Sequence, residues 1–298
     1  MAQLARIHEY QQKPEQGTRA RKSIRTLIEQ GMVFTLLVFF TLLFVSPLIW
    51  LLITALKPLA DMAAFPIRWL PSQVQWQNFF YAVTYIDFWH YALNSLTLAV
   101  IQSSLITITS AMVGFGFARL RGFGKQKLLM VMLATTMLPG MVTIIPTYII
   151  FSKLGMVDTY WPWVVWGLAS SPFFSFMFRQ FFSSIPGELE EAAIMDGCSY
   201  WRIFWQLFLP LSRPVLAIVI IFAFTGVWDD FLGPILFLNA DNTTLAVAIS
   251  NGYLDPQGHR ADNVLAAGSL LYALPVLIIF LLTQRFLINN SASSGLKG

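Results

Sequence analysis

Residues 184–214 read SIPGELEEAAIMDGCSYWRIFWQLFLPLSRP, and they form the one long stretch between hydrophobic runs that is acidic, helix-permissive and too polar to cross a bilayer. Pro186 suits a first helical turn, because its missing N–H would be an orphan there. Glu188, Glu190 and Glu191 add negative charge near the positive end of the helix dipole. Gly197 supplies a left-handed stop. The pattern predicts a short helix of about three turns in which Leu189, Ala192, Ala193 and Asp196 share one narrow face centred on two alanines. Beyond it, Trp201, Ile203, Phe204, Trp205, Leu207 and Phe208 suit an interfacial helix running up to Pro210. Two readings of the stretch stand at this point: an amphipathic connector lying on a membrane, or a docking surface for another protein.

Working outward, the flanking runs decide the class. Of the 298 residues, 56% are hydrophobic and 11% charged, against roughly a quarter charged in soluble domains. The chain reads as an all-α integral membrane protein. Apolar runs long enough for the ~20 residues that cross ~30 Å of hydrocarbon fall at 32–56, 92–117, 128–151, 160–178, 211–231 and 264–287. The third is interrupted by Pro139, Gly140 and Pro146. A basic tail, 1–31, precedes the first run, with no small-residue cleavage pattern after that run. A segment at 57–91 carries three prolines and the aromatics expected at a membrane interface. Residues 232–263 form a loop rich in Asp, Asn and Gly, and 288–298 a short tail.

Six passages put both termini on one side. On an N-in, C-in arrangement that side holds six Lys/Arg in the first tail, four after the second run, three within 179–213 and two at the C-terminal end. Only Lys57, Arg68, Lys153 and Arg260 fall opposite, completing the 19 of the chain. This is the bias of the positive-inside rule, and it sets 184–214 in the cytoplasm.

Function classes narrow accordingly. Cys198 is the only cysteine, so no intrachain disulfide is available. His8, His90 and His259 are far apart and suggest no metal set. No phosphate loop is present, since Gly124-Lys125 is followed by Gln126 without the upstream glycine spacing. No ionisable residue sits at the middle of a run, which disfavours a proton-coupled carrier. Nor does a convergent set of acid, base and metal ligands suggest a membrane-embedded enzyme. Ser103 and Thr107, Thr136 and Gly140, Ser171, and Asp229 are polar or helix-breaking positions at or near span depth. They face either a cavity or a neighbouring helix, because such groups are costly against lipid.

The spacing within 184–214 resembles a known signature. Glu191-Ala192-Ala193, three residues, Gly197, nine residues, the aliphatic Leu207, one residue, then Leu209-Pro210 is similar to the EAA motif of permease subunits in binding-protein-dependent ABC importers. Leu207 stands where isoleucine is common. Asp196, Trp201, Phe204 and Pro214 resemble the carbohydrate branch of that family. From about Tyr91 onward the chain looks like a MalG-type permease, including Thr244 to Val247, Tyr253 to Pro256, Gln284 to Leu287, and a tail similar to Gly-Gly-Val-Lys-Gly.

The resemblance implies a type I ABC importer permease fold, with 92–287 as a five-helix core plus one extra N-terminal helix. It implies a non-catalytic subunit in a bacterial inner membrane. The implied partners are a second homologous permease chain, two ATPase subunits carrying ATP and Mg²⁺, a periplasmic solute-binding protein, an oligosaccharide and membrane lipid. No cofactor on this chain and no nucleic acid are implied. Residues Glu190, Glu191, Ala192, Ala193, Met195, Asp196, Gly197, Leu209 and Pro210 would then couple to an ATPase. Gly295, Leu296, Lys297 and Gly298 would reach between the ATPases. Tyr253, Leu254, Asp255, Pro256 and Gln257 would meet the binding protein.

Overall fold

A computed structural model describes residues 16–294, with side chains from 29 to 284. The tail through residue 15, and the expected ATPase contact at Gly295, Leu296, Lys297 and Gly298, lie outside the described residues. The chain divides into two compact units, one ending at Thr54 and the other starting at Ala55.

The first unit is a single helix, α1 (Gln16–Ala55). Its section Glu29–Ala55 is long and apolar enough to cross a membrane. Side chains from Met32 to Trp50 are largely exposed, as suits a lipid-facing surface. The hydroxyls of Thr35, Thr41 and Ser46 donate back to the carbonyls of Gly31, Leu37 and Leu43. Each of these three donors is thereby satisfied where a bare one in hydrocarbon would cost several kcal/mol, on the order of a whole hydrogen bond.

The second unit is built around α4 (Phe88–Arg119). Before it come α2 (Leu59–Met62) and α3 (Gln77–Thr84). After it come α5 (Lys125–Thr135), α6 (Gly140–Lys153), α7 (Trp161–Leu168), α8 (Pro172–Ser184) and α9 (Gly187–Met195). The chain then continues through α10 (Tyr200–Leu211), α11 (Arg213–Trp228), α12 (Leu232–Phe237), α13 (Leu245–Ser250) and α14 (Asp262–Ser294). α4 packs against α7, α8 and α11, and α11 also packs against α14. Close approach of α4 to α8 depends on Gly114: a Cβ there would lie 2.6 Å from the Cβ of Phe178 and 2.9 Å from the backbone N of Arg179. Membrane helices associate through such small residues, because lipid tails leave no hydrophobic drive between helices.

The expected spans are less regular than six straight helices. α4 and the Asp262–Gln284 section of α14 meet the length and hydropathy of single crossings. The third run bends by 97° between α5 and α6, where Pro139 forces extended backbone (ψ 131°) ahead of Gly140. Pro146, also expected to interrupt it, is accommodated inside α6. The fourth run is split into α7 and α8 at Ser170, which sits in the left-handed region at φ 59°. The fifth is preceded by an 82° turn between α10 and α11.

The aromatic segment before α4 is more than an interfacial loop. Asn78 Nδ2 donates to the carbonyls of Ala55 and Lys57, and Asn263 Nδ2, at the start of α14, donates to the Lys57 carbonyl and to Asn78 Oδ1. Asp61 is buried and accepts from Arg68 at 2.8 Å and from the Ser72 N–H at 2.7 Å. The Ser72 backbone bond is the chief reason its carboxyl is held below the usual range.

Candidate coupling site

The 184–214 stretch folds as four consecutive local decisions. Pro186 is the N-cap of α9, with Glu188 and Glu190 in the first turn. At the other end Gly197 adopts φ 77°. Its N–H bonds the Ile194 carbonyl at 2.9 Å while the Cys198 N–H bonds the Ala193 carbonyl at 3.0 Å. This pair of bonds is a Schellman stop, and it demands a residue at ease with positive φ. The spacing Ala193 to Gly197 is thus the spacing of that cap. Ser199 then caps α10, accepting from the Arg202 N–H.

Within α10 the turn widens, so that the Leu209 N–H reaches back five residues to the Phe204 carbonyl. Pro210 explains the widening: it lacks an N–H and its ring crowds the carbonyl four residues earlier. Ser212, fully buried, receives the turn, its N–H bonded to the carbonyls of Phe208 and Leu209. Pro214 then starts α11.

What holds this stretch to the membrane helices is Arg119, the last residue of α4. Its guanidinium donates to the carbonyls of Phe182 and Ile185, lies 3.4 Å from Glu190 Oε2, and sits 4.9 Å over the Phe208 ring. Both charged side chains are about 12% exposed. Beneath them Phe115, Phe178, Phe182, Ile203, Phe204 and Phe208 form one core with Val215 and Val219, onto which Ala193, Cys198, Leu207 and Leu209 pack. Sequence reasoning placed Ile203, Phe204 and Phe208 toward lipid. The structure turns them into this core and leaves Trp201 and Trp205 outside.

The narrow face expected on α9 is divided likewise. Ala193 turns inward, and Glu190 faces Arg119. Leu189, Glu191, Ala192, Met195, Asp196 and Gly197 remain exposed, Met195 at 87%, and Pro210 is exposed as well. α9 is thus clamped on one side and open on the other. Arg119 itself was legible only as part of a basic loop; nothing near it in sequence marks Glu190 as its partner.

The other expected sites fall differently. Tyr253 is 2% exposed and buried in its own unit. It is a packing anchor, so the expectation that it meets a partner is corrected. Leu254, Pro256 and Gln257 are exposed around Asp255. Asp255 accepts from the N–H groups of Gln257 and His259, and the His259 bond chiefly lowers its carboxyl pKa. Ser103 and Thr107 are buried, with the Ser103 Oγ 3.5 Å from the Val100 carbonyl. Ser171 is half-buried and caps α8, its Oγ accepting from Phe174. Thr136 and Gly140 are exposed at the bend between α5 and α6, and Asp229 is exposed at the end of α11, where its Oδ1 accepts from the Tyr272 hydroxyl.

Membrane-length helices with a short, clamped, half-exposed helix beside them describe a membrane-embedded chain. The chain belongs to the binding-protein-dependent transport system inner membrane component family, matched over residues 107–288. It is a permease subunit of a binding-protein-dependent ABC importer. Among its relatives, the probable ABC transporter permease protein YurM of Bacillus subtilis is 31% identical, covering 91% of this chain and 90% of its own. The arabinooligosaccharides transport permease AraQ of Halalkalibacterium halodurans is 30% identical over 87% of this chain and 94% of its own. The maltose/maltodextrin permease MalG of Vibrio vulnificus is 35% identical over 69% of this chain and 71% of its own. A chain in the crystal structure of a bacterial ABC transporter that imports the acidic polysaccharide alginate shares the fold, with a TM-score of 0.75 at 20% identity, over 88% of this chain and 97% of that one.

Proposed function

We propose that this chain forms half of the translocation pathway of an ATP-driven oligosaccharide importer in a bacterial cytoplasmic membrane. It crosses the membrane six times, α5–α6, α7–α8 and α10–α11 each serving as one irregular passage, and both termini are cytoplasmic. It pairs with a second homologous permease and with two ATPase subunits, which carry the ATP and Mg²⁺; this chain does no chemistry. The exposed side of α9 docks on an ATPase, and Gly295 to Gly298 extend toward the same partners. On the opposite face, Leu254, Asp255, Pro256 and Gln257 meet the solute-binding protein. Thr136, Gly140 and Asp229 border the pathway.

The observation that carries this reading is the two-sided α9, fixed inward by Arg119–Glu190 and open outward at Glu191, Ala192 and Met195. The oligosaccharide class draws on the relatives, whose names specify arabinooligosaccharides, maltodextrin and diacetylchitobiose. The test is to purify the N-terminally tagged chain in mild detergent, identify its companions, and measure oligosaccharide uptake in proteoliposomes. Recovery of an ATPase and a second permease, with uptake requiring ATP and a binding protein, is expected. Glu191→Arg is expected to leave insertion intact and to lower uptake or assembly. A chain that purifies alone, or normal uptake by the variant, contradicts the proposal.

A further inference from the structure

A cavity of about 550 Å³ lies beside α5 and α8, and it is lined by Arg121, Lys125, Lys127 and Arg179 among others. It shares Phe117, Arg121, Gly122 and Lys125 with a second cavity of about 340 Å³ whose other walls are mostly apolar, Val113, Leu120 and Leu128 among them. No carboxylate lines either one, and among the described residues none pairs with these four cations.

Two further features are wrong for a bare protein surface and right for a bound anion. α5 begins at Gly124 with no side-chain cap and no acidic residue in its first turn, yet Lys125 and Lys127 stand there. Positive charge at the positive end of a helix dipole is unfavourable, whereas uncapped N–H groups there bind phosphate readily. Arg179 adds a buried Nε with no hydrogen-bond partner. Phe123, wholly exposed beside the cavity, suits insertion among headgroups.

We propose that this double cavity binds an anionic phospholipid, its phosphate among Arg121, Lys125, Lys127 and Arg179 and an acyl chain along Val113, Leu120 and Leu128. Basic pockets at the ends of membrane helices hold such headgroups, and charges there contribute about fivefold each to affinity.

The full-length chain in detergent, titrated with phosphatidylglycerol or with phosphatidylcholine of the same acyl chains and read by native mass spectrometry, tests it. The wild-type chain is expected to retain phosphatidylglycerol preferentially. Arg121→Gln with Lys127→Gln, both at exposed positions, is expected to reduce that retention by tenfold or more with an unchanged melting temperature. Lys153→Gln with Arg260→Gln, removing equal charge elsewhere, is expected to leave it intact. Equal retention of both lipids, an equal loss in the second pair, or displacement of the lipid by excess inorganic phosphate overturns the proposal. So does disappearance of the lipid when the partner chains co-purify, which would assign the cavity to a protein neighbour.

Discussion

Arg119→Met removes the group that ties α9 to the membrane helices. The guanidinium is about 12% exposed and serves two backbone carbonyls, one carboxylate and one aromatic face. Methionine keeps most of the volume and none of the donors. Each charge-assisted bond contributes about 1.5–3 kcal/mol, but the bonds share one group and do not add. The cost of breaking a buried pair, about 3–5 kcal/mol, is the better guide. Part of that cost is local, because Ala193 is the one α9 side chain among those packed on the core. A local share of about 3 kcal/mol raises the opening equilibrium of α9 by a factor on the order of one hundred. Hydrogen exchange at the amides of Asp196, Gly197 and Cys198, whose bonds close the helix, reads this directly. Arg119→Lys is expected to fall between, since an ammonium cannot fork across the same acceptors. Glu190→Gln, which leaves the carbonyl bonds in place, is the milder companion should Arg119→Met fail to fold. Exchange within twofold of wild type at those three amides in Arg119→Met would refute the clamp.

Three further outcomes follow from the geometry. Gly114→Ala is expected to lower the melting temperature in detergent, by an overpacking cost of about 1–3 kcal/mol or more, because backbone atoms of α8 stand in the way; Gly116→Ala, with open space beside it, is expected to be silent. Tyr253→Phe is expected to be neutral or stabilising, because the buried hydroxyl has no hydrogen-bond partner. Gly268→Ala, whose Cβ would lie 2.4 Å from that hydroxyl oxygen, is expected to speed proteolysis in the exposed turn at 257–260, and a cleavage rate equal to wild type would count against Tyr253 as an anchor. Asp61 has its carboxyl pKa depressed in the folded chain, so its contribution is fully present above the ordinary carboxylate pKa of about 4 and is lost as pH falls through the lower folded value. Acidification from pH 7 to below the ordinary carboxylate range (about 4) is expected to loosen the segment around Trp69 and Trp76, and Asp61→Asn to remove that transition; an unchanged acid transition in the variant would assign it elsewhere.

Much of the coupling region could be read in the sequence because its determinants are local. The stop at Gly197, the Pro186 start and the Leu209-Pro210 turn each depend on residues within about six positions, and the structure forms all three. The long runs were legible for the same reason, and Pro139 marked the sharpest bend. The break in the fourth run was marked by Ser171 and Pro172, but the positive φ of Ser170 was not, since a serine in the left-handed region carries no sequence mark. Arg119 lies 71 positions before Glu190, and only the packing of α4 on α8 brings them together. Ser103 and Thr107 show the converse: polar residues in an apolar run point to a cavity or to a helix contact, and only burial decides between them. The bonds of Asp61 to Arg68 and Ser72, and of Asn78 to Asn263, were hidden similarly, each member separately resembling an ordinary loop residue.

The central claim is that the open side of α9 is where an ATPase docks. A photo-crosslinking residue placed at Met195, 87% exposed, in the purified transporter tests it most directly, with the same residue at exposed Tyr200 as a neighbour and at Lys153 as a distant control. The account predicts a crosslink from Met195 to an ATPase chain and none from Lys153. An assembled, transport-competent complex in which Met195 crosslinks to no ATPase would contradict it.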